Sequence, residues 1–315
     1  MTSPSSPSLG YQPTSRPSPT GPSRRPQDTT ATRSSPSSPG PPATTTTTTT
    51  STSLPQTLWS LQIPLHITHP SSSPPNLPPF VTSVPRFSYL AFLLPRLTAY
   101  FGVPCSSFHH EEVQLRNLPL GLLVDLYQPA TLPWKLVVGD GPEWDIGDTF
   151  LNGAKEADFV RNNNAQQIMS LSKGDTTALW EAVIDNDYNA FAKVNNRLLN
   201  PPTPLKSVPL RIYIPSAPNN NNDDSSSSGG TTSAAAAEYK VMQTLMPPRT
   251  SSRAPQTLGT ALKTLLPTLF PSSRDPVLAN VVMHGAAVPF AAPVEELMRE
   301  AAYPDGWLCL IVVLL

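Results

Sequence analysis

Proline placement constrains this chain more than any other feature. Its 315 residues include 40 prolines, and they fall unevenly. From Met1 to Ser53 proline is interspersed with Ser, Thr and Arg, and almost no apolar side chain is available for a core. Such a segment cannot offset its ordering entropy, so 1–53 is expected to be disordered. Arg16, Arg24, Arg25 and Arg33 make it locally basic, but the prolines prevent the amphipathic helix of a mitochondrial presequence. Beyond Ser53 proline becomes punctuation. Pro95 should bend or split the apolar segment Phe87–Phe101. Pro119 and Pro293 sit where helices open, and Pro201 and Pro202 close a helical region.

The formal net charge of −1 gives no global field favouring nucleic acid. Cys105 and Cys309 form neither a disulfide framework nor a zinc spacing, which points to a reducing, intracellular compartment. No cofactor or metal motif is expected. The apolar run Trp307–Leu315 is shorter than the roughly 20 residues a bilayer needs. Its Ile, Val and Leu content predicts a buried strand.

The elements come in a recurring order. Ile63, Leu65 and Ile67 alternate with Pro64, His66 and Thr68, a strand with one buried face. Phe80–Val84 is a second strand. A helix over Phe87–Phe101 stops at Gly102 and Pro104, Val113–Asn117 is a strand, Pro119–Tyr127 a short helix and Trp134–Val138 a last strand. That is the order of a ubiquitin-like β-grasp. It returns later: strands at Leu210–Ile214 and Tyr239–Leu245, a helix from Thr257 to Phe270, strands at Val277–Met283 and Ala286–Val288, a helix after Pro293, and the strand at Trp307–Val313. Pro119–Trp134 and Pro293–Trp307 also share nearly the same spacing. Between the two copies, Thr176–Leu199 reads as helix with Asp175 as cap and a break at Asp185–Asp187. The expected fold class is α+β: ubiquitin-like domains over 54–140 and 203–315 flank a helix-rich domain over 141–202. The tail is expected to be disordered, and so is an Asn- and Ser-rich insertion over about 216–237.

Asp148–Asn163, DTFLNGAKEADFVRNN, is the candidate functional helix, with Asp148 or Thr149 as cap. At roughly 100° per residue, Phe150, Ala154 and Ala157 share a buried face and Lys155 points away from it. Leu151, Asp158 and Phe159 are its surface neighbours at i−4, i+3 and i+4 and form a candidate docking rim. The residues alone leave two readings: a solvated lysine paired with Asp158, or a lysine presented to a partner. A second candidate is Cys105 with His109 and His110 in CSSFHHEE. Catalytic Cys and His normally meet through the fold, and adjacent histidines on a strand point to opposite sides, so a polar loop is the preferred reading.

Five segments carry a resemblance: RFSYLAFLLPRLTAYFG (Arg86–Gly102), LPLGLLVDLYQP (Leu118–Pro129), KEADFVRN (Lys155–Asn162), TLGTALKTLLPTLFP (Thr257–Pro271), and Asn280–Leu310 with NVVMHG and EELMREAAYPDGWLCL. Together they resemble the autophagy protein 5 family in a fungal form, over roughly 260 residues from Leu54 on. The resemblance implies an isopeptide bond from the lysine of the K-E-A-D segment, Lys155, to the terminal glycine of the ubiquitin-like autophagy protein 12. It implies non-covalent binding of the coiled-coil autophagy protein 16. It further implies an E3-like complex that promotes attachment of the ubiquitin-like autophagy protein 8 to phosphatidylethanolamine. Transient activating and conjugating enzymes, a cytoplasmic location and peripheral association with the phagophore assembly site membrane follow from it. So does a non-catalytic role. The chain ends in Leu314 and Leu315, without a modifier's terminal glycine, so it is expected to accept a modifier and not to be one. A plain β-grasp adaptor and a cysteine-dependent enzyme are the competing classes.

Overall fold

Strand alternation, proline-opened helices and left-handed turns build two sheets of the same topology. The computed structural model describes residues 52–71, 77–141, 145–215 and 239–315. The expected disorder of 1–53 and of the insertion at 216–237 falls outside the described residues, apart from 52 and 53.

The first domain begins with a helix that the sequence reading did not identify, α1 (Leu54–Ser60). Gln56 Oε1 accepts from the Ser53 N–H at 3.1 Å and holds its first turn. Strands β1 (Gln62–Thr68) and β2 (Phe80–Pro85) pair antiparallel. Pro95 splits the apolar segment as expected, into a 3-10 turn (Leu90–Leu93) and α2 (Leu94–Phe101) that ends on left-handed Gly102. Strands β3 (Ser107–His110) and β4 (Val113–Gln114) follow, then α3 (Leu120–Tyr127) with Pro119 at its cap and β5 (Trp134–Gly139). The sheet order is β2-β1-β5-β3-β4. Ile63, Leu65, Ile67, Trp134, Leu136 and Val138 face its core, while Lys135 and Val137 alternate outward.

Four helices come next: α4 (Ile146–Asn162), α5 (Gln166–Met169), α6 (Lys173–Ile184) and α7 (Tyr188–Leu199). Ser172, not Asp175, caps α6, and Asp187 caps α7 after the expected break. The second domain runs β6 (Val208–Pro215), β7 (Tyr239–Met246), α8 (Leu258–Leu265), β8 (Ala279–Met283), β9 (Ala286–Ala287), α9 (Val294–Ala301) and β10 (Leu308–Leu314). Its order, β7-β6-β10-β8-β9, repeats that of the first sheet. Here, however, β10 is buried on both faces from Leu308 to Val312, because one side packs into its own core and the other lies under α4 and the first domain. That explains the uninterrupted apolar run.

The two ubiquitin-like domains meet at the turn between β8 and β9. Arg86, just after β2, forms an ion pair with Asp125 of α3, and its Nε donates to His284 Nδ1 at 3.2 Å. A guanidinium has no acceptor, so Nδ1 must be unprotonated, and Nε2–H donates to the Ala301 carbonyl at 2.8 Å. Burial holds His284 well below its ordinary 6.5, at about 4. The folded state therefore favours the neutral ring. Its contribution is complete above about 6.5 and is lost as pH falls from there through about 4, by about 3 kcal/mol in all. Burial pushes the neighbouring Asp125 carboxyl up, so its own titration opposes this at the acid end. His284 sits at φ 51°, which asparagine tolerates well. Urea titrations at pH 7 and pH 4.5 should show a smaller pH-dependent loss in His284→Asn than in the wild type. An equal loss in both would show that the imidazole is not the group responsible.

Candidate functional site

Helix α4 carries the candidate lysine. It starts three residues earlier than the sequence reading placed it: Asp145, not Asp148 or Thr149, is the cap, and its Oδ1 accepts from the Asp148 N–H at 2.9 Å. The displaced boundary follows from Ile146, which buries its side chain and so continues the apolar stripe toward the N-terminus. Phe150, Ala154 and Ala157 are buried as their spacing requires. Lys155 points to solvent, and Nζ donates to Asn152 Oδ1 at 3.5 Å. Among the described residues no carboxylate lies within salt-bridge distance of it.

Of the three rim residues, Phe159 is 56% exposed and Leu151 is half-buried against the core. Asp158 is not on the rim. It is fully buried, its Oδ1 accepting from Asn162 Nδ2 at 2.7 Å and its Oδ2 from the Ile168 N–H of α5 at 3.0 Å. The carboxylate is spent on a backbone donor ten residues on, so the expected pairing with Lys155 does not form. Spacing along one helix cannot reveal a partner brought back by the next one.

The far side of α4 is fixed to the second domain by residues that sequence reasoning missed. Arg211 of β6 reaches Glu156 at 3.0 Å and Asp305 at 3.4 Å, with its guanidinium 4.1 Å over the Trp307 ring. Trp307 Nε1 donates to the Gly153 carbonyl at 3.1 Å. Gly306 takes φ 85°, and a Cβ there would lie 3.1 Å from the Ala157 Cβ, so only glycine allows the turn to press this closely on α4. The available signals were an arginine inside an apolar strand pattern and the Pro-Asp-Gly turn of AAYPDGWL. Lys155 thus stands on a helix clamped along its opposite face, a rigid platform.

The Cys105 candidate is not assembled. The thiol is buried, lies 3.5 Å from the Val103 carbonyl, and is pushed up by burial, the reverse of what a nucleophile needs. His109 and His110 lie on β3, not in the polar loop expected, because Phe108 and Ser107 are buried between core and sheet. His110 Nδ1 accepts from Trp134 Nε1 at 3.2 Å. Among the described residues no group of three His, Cys, Asp or Glu side chains is placed to hold a metal, and no helix is long and apolar enough to cross a membrane.

Three family models match in succession: the UblA domain of autophagy protein ATG5 over residues 58–139, its alpha-helical bundle region over 144–201, and its UblB domain over 207–312. This chain belongs to the autophagy protein 5 family. Autophagy protein 5 of Chaetomium globosum is 71% identical over 264 residues, covering 84% of this chain and 90% of the relative. Autophagy-related protein 5 of Gibberella zeae is 64% identical over 262 residues, covering 83% and 98%. The crystal structure of Kluyveromyces marxianus Atg5 matches with a TM-score of 0.63 at 21% identity, over 82% of this chain and 99% of that one, which supports the fold. The family gives the chain a role in autophagy, and its UblA–helical bundle–UblB order agrees with the α+β architecture described above.

Proposed function

We propose that Lys155 is the acceptor for covalent attachment of a ubiquitin-like protein, autophagy protein 12, and that the chain itself is a non-catalytic scaffold. The observation that carries this is the exposed amine of Lys155 on a clamped helix, with no carboxylate within salt-bridge distance among the described residues and an exposed phenylalanine one turn away. In the step proposed, Nζ attacks the thioester carbonyl of the donor's terminal glycine, held on a conjugating enzyme. The C–N bond forms, the C–S bond breaks, and the enzyme's cysteine leaves as thiolate. An ordinary lysine is an ammonium at neutral pH, and no described group is placed as a base, so the conjugating enzyme must remove the proton.

In this reading the conjugate binds the coiled-coil autophagy protein 16 without a covalent bond. The complex acts like an E3 ligase on the transfer of autophagy protein 8 to phosphatidylethanolamine, in the cytoplasm and at the surface of the phagophore assembly site membrane. The experiment is a tryptic digest of the protein from cell lysate, run under thiol reductant. A branched peptide centred on Lys155 and carrying the donor's terminal residues is expected. A digest with no branched peptide, or with the branch on Lys173 or Lys193, would overturn the assignment.

A further inference from the structure

Residues 200–207 carry the chain from α7 to β6, out of the helical domain and into the second ubiquitin-like domain. They read NPPTPLKS. Three prolines supply no N–H and fix φ, and this strap is neither helix nor strand. Pro202, Thr203 and Pro204 are exposed. Among the described residues, Thr203 is the one serine or threonine followed directly by proline. The strap is anchored at its far end, where the Lys206 N–H donates to the carbonyl of Arg161, in the last turn of α4, at 2.8 Å.

An open cleft of about 600 Å³ lies beside the strap. Thr203 and Pro204 line it from the strap, and Arg249 and Arg299 line it from the second domain. Arg299 already touches the start of the strap, its Nη1 donating to the Leu199 carbonyl at 3.2 Å and to Asn200 Oδ1 at 3.1 Å. Glu295 is the acid in the cleft, and it pairs with Arg299 at 3.1 Å. Arg249 is exposed, and its Nη1 donates to the Arg253 carbonyl at 3.2 Å. Among the described residues no carboxylate lies within salt-bridge distance of it. Two guanidinium groups against one carboxylate leave the cleft positive, next to an exposed hydroxyl. A guanidinium fork matches phosphate oxygens two at a time.

We infer that Thr203 is a phosphorylation site for a proline-directed protein kinase, and that Arg249 and Arg299 receive the phosphate. Kinases of this kind take a serine or threonine followed by proline, and one class of them prefers a basic side chain three residues on, where Lys206 stands. Thr203 Oγ1 attacks the γ-phosphorus of ATP, the bond from that phosphorus to the bridging oxygen breaks, ADP leaves, and the hydroxyl proton passes to the kinase's base. The phosphate brings a charge of about −1.5 to −2 and three acceptor oxygens. It ties the strap to the second domain and, through Lys206, steadies the last turn of α4. The inference does not depend on Lys155 being the acceptor.

The full chain is incubated with ATP and a purified cyclin-dependent kinase, and separately with a mitogen-activated kinase. Trypsin then releases Leu198–Lys206, LLNPPTPLK, in which Thr203 is the only hydroxyl, so a phosphate on this peptide has a single position. The phosphopeptide is expected from the incubated chain and from cell lysate prepared with phosphatase inhibitors. Its absence from both kinase incubations, or from the lysate, would overturn the site. The arginines are tested by phosphorus NMR, where the resonance missing from Thr203→Ala belongs to the phosphothreonine. Its second pKa is about 6 in a free peptide, and two guanidinium groups favour the dianion, so in the folded chain it should lie lower by about half a unit or more. Arg249→Gln should return at least half of that shift. Equal values in the folded chain and in the released peptide would overturn the role of the arginines, whether or not the variant folds. So would an Arg249→Gln protein that folds and keeps the full shift.

Discussion

Lys155→Arg is expected to abolish conjugate formation while leaving the fold intact. The substitution keeps the positive charge and the helix propensity, and the side chain is exposed, so stability should change by no more than about 0.5 kcal/mol. A guanidinium stays protonated in proteins and cannot supply the amine nucleophile. No other lysine lies on α4; Lys173 and Lys193 belong to α6 and α7. The expected loss is therefore complete, not a slowing. Phe159→Asp, with Lys155 in place, is expected to slow conjugation by placing a charge on the exposed ring's contact surface. Asp158→Ala is a different experiment, because it leaves the Ile168 N–H without its acceptor inside the protein and should destabilise the α4–α5 junction. The measurement is conjugate yield in the purified system beside a urea titration of each variant. A conjugate of wild-type yield from Lys155→Arg would sink the acceptor role.

What could be read in the sequence was local. Ile63, Leu65 and Ile67 announced β1 by alternation, and Pro95, Pro119 and Pro293 placed element boundaries, because a proline acts on its own neighbours in the chain. The spacing shared by Pro119–Trp134 and Pro293–Trp307 reflects two helices, α3 and α9, each followed by a central strand of a sheet with the same order. Lys155 was legible as outward-facing for the same reason, since a helix fixes the direction of every residue on it. What failed depended on distant partners. Asp158 turns inward because α5 returns an N–H to it. Helix α1 is too short to show a period, and it is held by Trp59 packing on Phe87 and Phe191 at ring distances of 5.5 and 4.8 Å. The ladder to β5 makes a strand of SFHH, which carries no strand pattern of its own. Arg211 and Asp305, which clamp α4 from the second domain, are 94 residues apart.

The largest stability effect is expected at the joint between the ubiquitin-like domains. Arg86 and Asp125 are ion-paired with side-chain exposures of 7% and 3%. Arg86 also donates to the Gly121 carbonyl at 3.1 Å and to His284, while the His284 and Gly285 backbone N–H groups point at the Asp125 carboxylate. One pair thus holds the first domain's α3 and the second domain's β8–β9 turn. Arg86→Met leaves a buried carboxylate without its counter-charge, and removing one partner of a buried pair costs about 3–5 kcal/mol. Asp125→Leu leaves a buried guanidinium and should cost a similar amount. The double variant Arg86→Met/Asp125→Leu leaves neither charge stranded, so it should be more stable than the sum of the singles by a few kcal/mol. The coupling can be measured by urea unfolding of all four proteins. Because the same joint sets where Tyr303 and the second domain stand against α4, the single variants should also conjugate more slowly, with the double variant recovering part of the rate. Additive losses within about 0.5 kcal/mol would show that the pair is not what couples the domains.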